Sequence, residues 1–211
     1  MSSPAHPLAL LLSAAAAGSF PAADGTVQVL PPDGDVHAVV AFSAHTVLLS
    51  NRSPTDMADR GLDAYGGSMH PSNLVWLAAE REIGSLDVVL ARRATDGDDS
   101  GMARIDDVDH PRVARALRHR SDVTVVGDER GLVTLGRGLV GRWELSVELL
   151  PDAAHSRGSG RALIAAGLAM APAGDWVWAQ VAAGNTASLR AFLAAGFVPV
   201  CSEVLFSLHA D

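Results

Sequence analysis

Residues 155–164 read HSRGSGRALI, with two glycines and two arginines directly ahead of an apolar helical run. Glycine lets a backbone approach a ligand closely, and the first turn of a helix carries N–H groups without intrahelical partners. Those groups and the helix dipole favour an anion. Loops of this composition occur in several unrelated folds, so the flanking segments decide which fold this one serves.

The flanks are regular. RWELSVELL (142–150) alternates as a strand before the loop, and GRALIAAGLAMA (160–171) has the composition of a helix after it. A strand DWVWAQVA (175–182), a helix TASLRAFLAA (186–195) and a closing pair of strands, FVPV (197–200) and SEVLFSL (202–208), follow. Upstream, HPRVARALRHR (110–120) reads as a helix, and DVTVVG (122–127) and GLVTLGRGLVG (131–141) read as strands. Only short turns separate the strand 131–141 from 142–150, which makes these two antiparallel neighbours. The later strand–helix units suit a mixed sheet covered by helices. The first part of the chain offers a helix within 7–25, strands at 26–30 and 37–50, a helix at 71–81 and a strand at 86–91. The expected fold class is α/β in the α+β sense: a mixed, mostly antiparallel twisted sheet flanked by helices. The acidic stretch TDGDDSG (95–101) is the clearest linker, so residues 1–94 are expected to form an N-terminal α/β segment and 95–211 a second domain.

Two motifs are decoys. Asp96, Asp98, Ser100 and Gly101 fall at the first spacings of a calcium loop, but its twelfth position is Asp107 rather than a bidentate Glu. GRGLVG (136–141) matches a dinucleotide fingerprint, which must open a helix, whereas a strand follows it here. It reads as a hairpin turn.

Composition narrows the function classes. A net charge of −8 argues against general binding to nucleic acid or anionic membranes and mildly favours a cationic partner. All sixteen basic residues are arginine, which excludes a Walker-type phosphate loop and Schiff-base chemistry. The single cysteine, Cys201, excludes an internal disulfide framework and fits a reducing compartment. The apolar run within 7–25 resembles the core of a secretory signal, yet no arginine precedes Arg52 to supply its positive leader. The expectation is a cytoplasmic protein with no membrane span. The eight histidines show no metal-binding spacing, so no metal is expected.

The run ELLPDAAHSRGSGRALI (148–164) resembles the pyrophosphate loop of the GNAT superfamily of acyl-CoA-dependent N-acetyltransferases. That loop reads Gln or Arg, two residues, Gly, one residue, then Gly or Ala, at a strand-to-helix junction. His155 takes the first place, Gly158 and Gly160 are the glycines, and Arg161, Ala162 and Leu163 open the helix. A second element agrees. NTASLRAFLAAGFVPV (185–200) is similar to the family's fourth helix, which starts at Asn, carries Ala or Ser three residues on and ends in Gly-Phe; Asn185, Ser188, Gly196 and Phe197 match. The resemblance covers about 109–208 and hardly touches the first eighty or so residues, where a degenerate half-copy of the same fold is conceivable.

The resemblance implies acetyl-CoA as co-substrate, its pyrophosphate cradled by backbone amides around His155, Ser156, Arg157, Gly158, Ser159, Gly160, Arg161 and Ala162. It implies that the strand 145–150 splays from the next one and pairs with the pantetheine arm through Leu149 and Leu150. Asn185, Ser188 and Phe192 would border the cofactor from the fourth helix. Glu144 and Glu148 share one face of the strand before the loop, and either can serve as general base toward an amine. Glu144 stands eleven residues before His155, the offset of the catalytic Glu in histone-type members, and is the first choice. The acceptor would be an amine-bearing small molecule or a protein amino group, and assembly as a homodimer stays open.

The sequence departs from the family pattern in two places. His155 replaces Gln or Arg, and Phe192 replaces the Tyr that acts as acid toward the leaving thiolate; the chain's only tyrosine is Tyr65. A thiol with a pKa near ~8.5 can leave without a dedicated acid. Two alternatives therefore accompany the acetyltransferase reading: a non-catalytic acyl-CoA-binding module, and an interaction protein that keeps the fold without the ligand site. Trp176 and Trp178 alternate on one strand, as core packing requires.

Overall fold

The computed structural model describes residues 4–95, 102–105, 109–151 and 158–208. The decoy calcium-loop residues Asp96, Asp98, Ser100, Gly101 and Asp107, and the loop residues His155, Ser156 and Arg157, lie outside them. The chain forms two compact units, Met1–Val89 with Val200–Asp211, and Leu90–Pro199.

In the first unit, Pro7 and a His6 ring nitrogen that accepts from Leu8 N–H start helix α1 (Pro7–Ala16). Strands β1 (Val27–Leu30), β2 (His37–Phe42) and β3 (His45–Leu49) follow, then α2 (Pro54–Asp59), α3 (Pro71–Ala78) and the short β4 (Glu82–Ile83). The stretch 37–50 is thus a hairpin and not a single strand, turning where Ala44 takes φ of 50°. No glycine or asparagine marks that turn, so the apolar run reads through it as one strand. Helix α2 lies in a polar region with no helical periodicity. A reciprocal capping box between Ser53 and Asp56 starts it, and Met57 anchors it in a core of Val39, Leu48, Leu77, Val204 and Phe206.

The strands of this unit run in the order β1-β3-β2-β11, with β1 parallel to β3 and the others antiparallel. Strand β11 (Val198–Ser207) is one continuous strand where the sequence reads as two short ones. Most of it belongs to the first unit, which differs from a division at 94/95 made along the chain. Strand β5 (Asp87–Arg93) spans the other unit boundary.

The second unit contains β6 (Ala103–Arg104), α4 (Pro111–His119), β7 (Ser121–Asp128), β8 (Gly131–Arg137), β9 (Trp143–Leu149), α5 (Ser159–Met170), β10 (Trp176–Ala182) and α6 (Thr186–Ala194). Strands β6 to β9 form an antiparallel meander, and β10 joins it parallel to β9. GRGLVG runs from the last two residues of β8 through the connection to β9, with a single 3₁₀ turn at Leu139–Gly141, as expected of a hairpin. Both units are mixed α/β, and antiparallel pairs dominate their sheets.

Candidate functional site

The site is built where β9 and β10 part. They are in register at only two positions, Val177 with Trp143 and Trp178 with Glu144. Beyond those pairs, Leu145–Leu149 of β9 and Ala179–Ala182 of β10 share no pairing among the described residues, so a gap opens toward the loop and α5. Leu150 N–H donates to the Arg130 carbonyl at 3.0 Å, on the β8 side. Backbone groups alternate in an antiparallel ladder, so those of the even-numbered residues of β9 face β8. The N–H and C=O groups of Val147 and Leu149 therefore face the gap, and the Leu149 and Leu150 side chains are themselves exposed.

Helix α5 starts at one end of that gap. Gly158 is its N-cap with φ of 101°, a left-handed conformation that side chains resist, and among the described residues no side chain caps the helix. Ala162 N–H donates to the Gly158 carbonyl at 3.0 Å and closes the first turn. The N–H groups of Ser159, Gly160 and Arg161 precede that bond and have no partner within the helix. A methyl placed on Gly160 would touch Leu149 and Ala191 at ordinary van der Waals distance. Ser159 is buried, whereas Arg161 is exposed.

Helix α6 carries the next group of expected residues. The Asn185 side chain caps the helix by accepting from Ser188 N–H at 3.1 Å. Phe192 is 3% exposed, with its ring edge against Phe197 and centroids 5.0 Å apart. It is packed in the core.

The even-numbered side chains of β9 project to the opposite face from Leu145 and Leu149, and there Glu144 sits in a buried cluster of ions. Oε1 accepts from Arg142 Nε at 2.9 Å, Gln180 Nε2 at 2.9 Å and Leu139 N–H at 3.3 Å. Oε2 accepts from Arg120 Nε at 2.9 Å. Arg120 also donates through Nη1 to Ser146 Oγ at 3.0 Å and Thr134 Oγ1 at 3.4 Å. Burial pushes the Glu144 carboxyl up, but the Arg142 and Arg120 guanidiniums outweigh it and hold the group below its ordinary value. Gly138 is part of the same arrangement, because a Cβ there would overlap the Glu144 carboxylate. The glycine of the decoy motif thus makes room for this carboxylate.

This geometry weighs against Glu144 as the general base. Both oxygens are occupied by donors, the residue is 4% exposed, and a lowered pKa weakens proton uptake. Glu148, two positions along each time on the same face, pairs with Arg112 Nε at 2.8 Å and keeps 40% of its side chain exposed. Sequence reasoning missed Arg120, Arg142 and Gln180. Only the Arg142–Glu144 spacing, two residues apart on one strand, was a local signal. Trp178 is buried, and Trp176 is half-buried beneath the Arg93 guanidinium, 4.0 Å from its ring centre. Among the described residues no group of three or more His, Cys, Asp or Glu could hold a metal, and no helix is long and apolar enough to cross a membrane.

No family profile matches the chain, and no curated protein matches it in sequence. Among solved structures, the chain is similar to one described as an acetyltransferase from the GNAT family of Novosphingobium aromaticivorans, at 19% identity and a TM-score of 0.42, over 61% of this chain and 66% of that one. A GCN5-related N-acetyltransferase from Kribbella flavida matches at 14% identity and a TM-score of 0.38, over 65% of this chain and 63% of that one. A Drosophila protein matches at 12% identity and a TM-score of 0.41, over 67% of this chain and 58% of that one. Two of the three bear acetyltransferase names. The chain spans about 58–66% of the length of these proteins.

Proposed function

We propose that this protein binds acetyl-CoA in the gap between β9 and β10 and transfers the acetyl group to an amine. The observation that carries the reading is the parting of two parallel strands after two registered pairs, beside a helix N-terminus at Gly158 that no side chain caps among the described residues. The free backbone groups of Val147 and Leu149 would pair with the pantetheine arm as an added strand does. The amides of Ser159, Gly160, Arg161 and Ala162 would face the pyrophosphate, with the Arg161 charge nearby. Of the other cofactor-side expectations, Leu150 has its N–H taken by the Arg130 carbonyl on the β8 side and would contribute only its exposed side chain. Asn185 and Ser188 would act by fixing the start of α6, and Phe192 by packing beneath it. The roles expected of His155, Ser156 and Arg157 are part of this proposal and lie outside the described residues.

Direct attack by the amine forms the C–N bond and breaks the C–S bond, and the amine proton must leave before or during that step. Glu148 is the carboxylate we assign to take it, since Glu144 is committed to its arginines. The thiolate departs without a dedicated acid.

The saturated Glu144 and the core-packed Phe192 favour one second reading, an acyl-CoA-binding module without turnover. Calorimetry with CoA and acetyl-CoA tests the site, and CoA-thiol release with an amine panel tests transfer. Binding without release selects the second reading. Absence of binding overturns both.

A further inference from the structure

Helix α4 concentrates positive charge in an acidic chain. Four of the sixteen arginines, Arg112, Arg115, Arg118 and Arg120, fall within ten residues at α4 and its C-cap. Arg112 is engaged by Glu148, and Arg120 shares the Glu144 carboxylate with the buried Arg142. Arg115 and Arg118 are exposed, and no acidic partner meets them among the described residues.

Arg120 is the informative one. Nε is taken by Glu144 and Nη1 by Ser146 and Thr134, but Nη2 has no protein partner among the described residues. Its side chain is only 12% exposed, so the charge is partly desolvated and half-neutralised by a carboxylate that also serves Arg142. A group in that state gains more from an incoming anion than an exposed arginine would. Its position matters as much. Trp178 with Glu144 is the last registered pair before β9 and β10 part, so the Glu144 carboxylate that Arg120 holds stands at the apex of the gap, while Arg120 itself reaches Thr134 of β8 and Ser146 of β9. The other face of β9 is taken by α5, whose Gly167 and Gly160 lie over Leu145 and Leu149, with Ala191 of α6 against Gly160. An acceptor must therefore approach the apex from the α4 side.

We infer that the acceptor is a small amine that also carries a carboxylate, as α-amino acids do, with Arg120 Nη2 receiving the carboxylate and Arg115 and Arg118 drawing the anion in. This rests on the acyl-CoA reading above. It reverses the preference for a cationic acceptor that net charge alone suggests, because the local field and not the total decides what a cleft attracts.

The test uses the full chain saturated with CoA and calorimetric titration of matched pairs: L-phenylalanine against 2-phenylethylamine, L-methionine against 3-(methylthio)propylamine, L-serine against ethanolamine, and L-lysine against cadaverine. At least one amino acid should bind about tenfold tighter than its decarboxylated partner, the scale of one charge-assisted contact. Arg120→Lys should remove that preference while leaving CoA affinity and the affinity for the decarboxylated amine unchanged. The double reversal Arg115→Glu with Arg118→Glu, on the exposed side of α4, should weaken the amino acid several-fold at low salt and far less at high salt. It carries the test if Arg120→Lys does not fold. Equal or tighter binding of the decarboxylated amines, or equal losses for both members of a pair in Arg120→Lys, would overturn the inference. So would CoA binding with no response from any pair. Failure to bind CoA is read separately and overturns the acyl-CoA reading itself.

Discussion

Glu144→Gln separates a base from a structural anion. The variant keeps the shape of the side chain and removes its charge, leaving the Arg142 and Arg120 guanidiniums facing each other across an amide. One amide oxygen can accept from one arginine, while the amide N–H groups point donors at the other. The Arg142, Arg120 and Glu144 side chains are 4%, 12% and 5% exposed, so water screens little of this. Removing one partner of such a buried pair costs about 3–5 kcal/mol. A chain of this size loses about 2–4 °C of melting temperature per kcal/mol, so the expected drop is about 6–20 °C. The pH dependence supplies an independent check. The folded pKa of Glu144 lies below its unfolded value, so its stabilisation is complete above about pH 4.3 and is lost as pH falls from there through the folded value. The stability gap between wild type and Glu144→Gln, measured by urea unfolding from pH 7 to pH 3, should therefore be widest near neutrality and close in acid. A catalytic base would behave otherwise: turnover would fall about 10²–10⁴-fold with stability unchanged. A variant that melts with the wild type and loses turnover alone would refute the structural assignment.

Other substitutions probe the remaining elements. Phe192→Tyr places a hydroxyl in the packed contact with Phe197 and should cost about 1–3 kcal/mol without gain of turnover, as thermal melts and thiol release would show. An unchanged melting temperature would mean that Phe192 faces solvent or ligand instead. Gly158→Glu puts bulk and negative charge at the start of α5 in a left-handed conformation that costs about 1–3 kcal/mol. CoA affinity by calorimetry should disappear while circular dichroism reports a folded protein, and retained affinity would remove the loop from the site. Asn185→Ala deletes the cap on α6 and should lower stability by about 1 kcal/mol, with Asn185→Asp restoring it; a loss of CoA affinity without a loss of stability would instead place the side chain against the ligand.

Local patterns in the sequence determined the helices Pro111–His119, Ser159–Met170 and Thr186–Ala194, the strands β7 to β10, and the glycine that caps α5. These depend on periods of two or 3.6 residues and on caps a few residues away, so nearby positions suffice to specify them. The hairpin at Ala44 escaped because its turn lacks the residues that announce one, and α2 escaped because six residues are too few to show a period. The grouping of β11 with the first unit, the burial of Phe192 and the charge state of Glu144 were decided by the tertiary structure. Arg120 and Gln180 lie 24 and 36 residues from Glu144 and meet it only when α4 and β10 are in place. Chemistry at a carboxylate depends on what stands within about 3 Å of it, and that distance is set by the fold rather than by spacing along the chain.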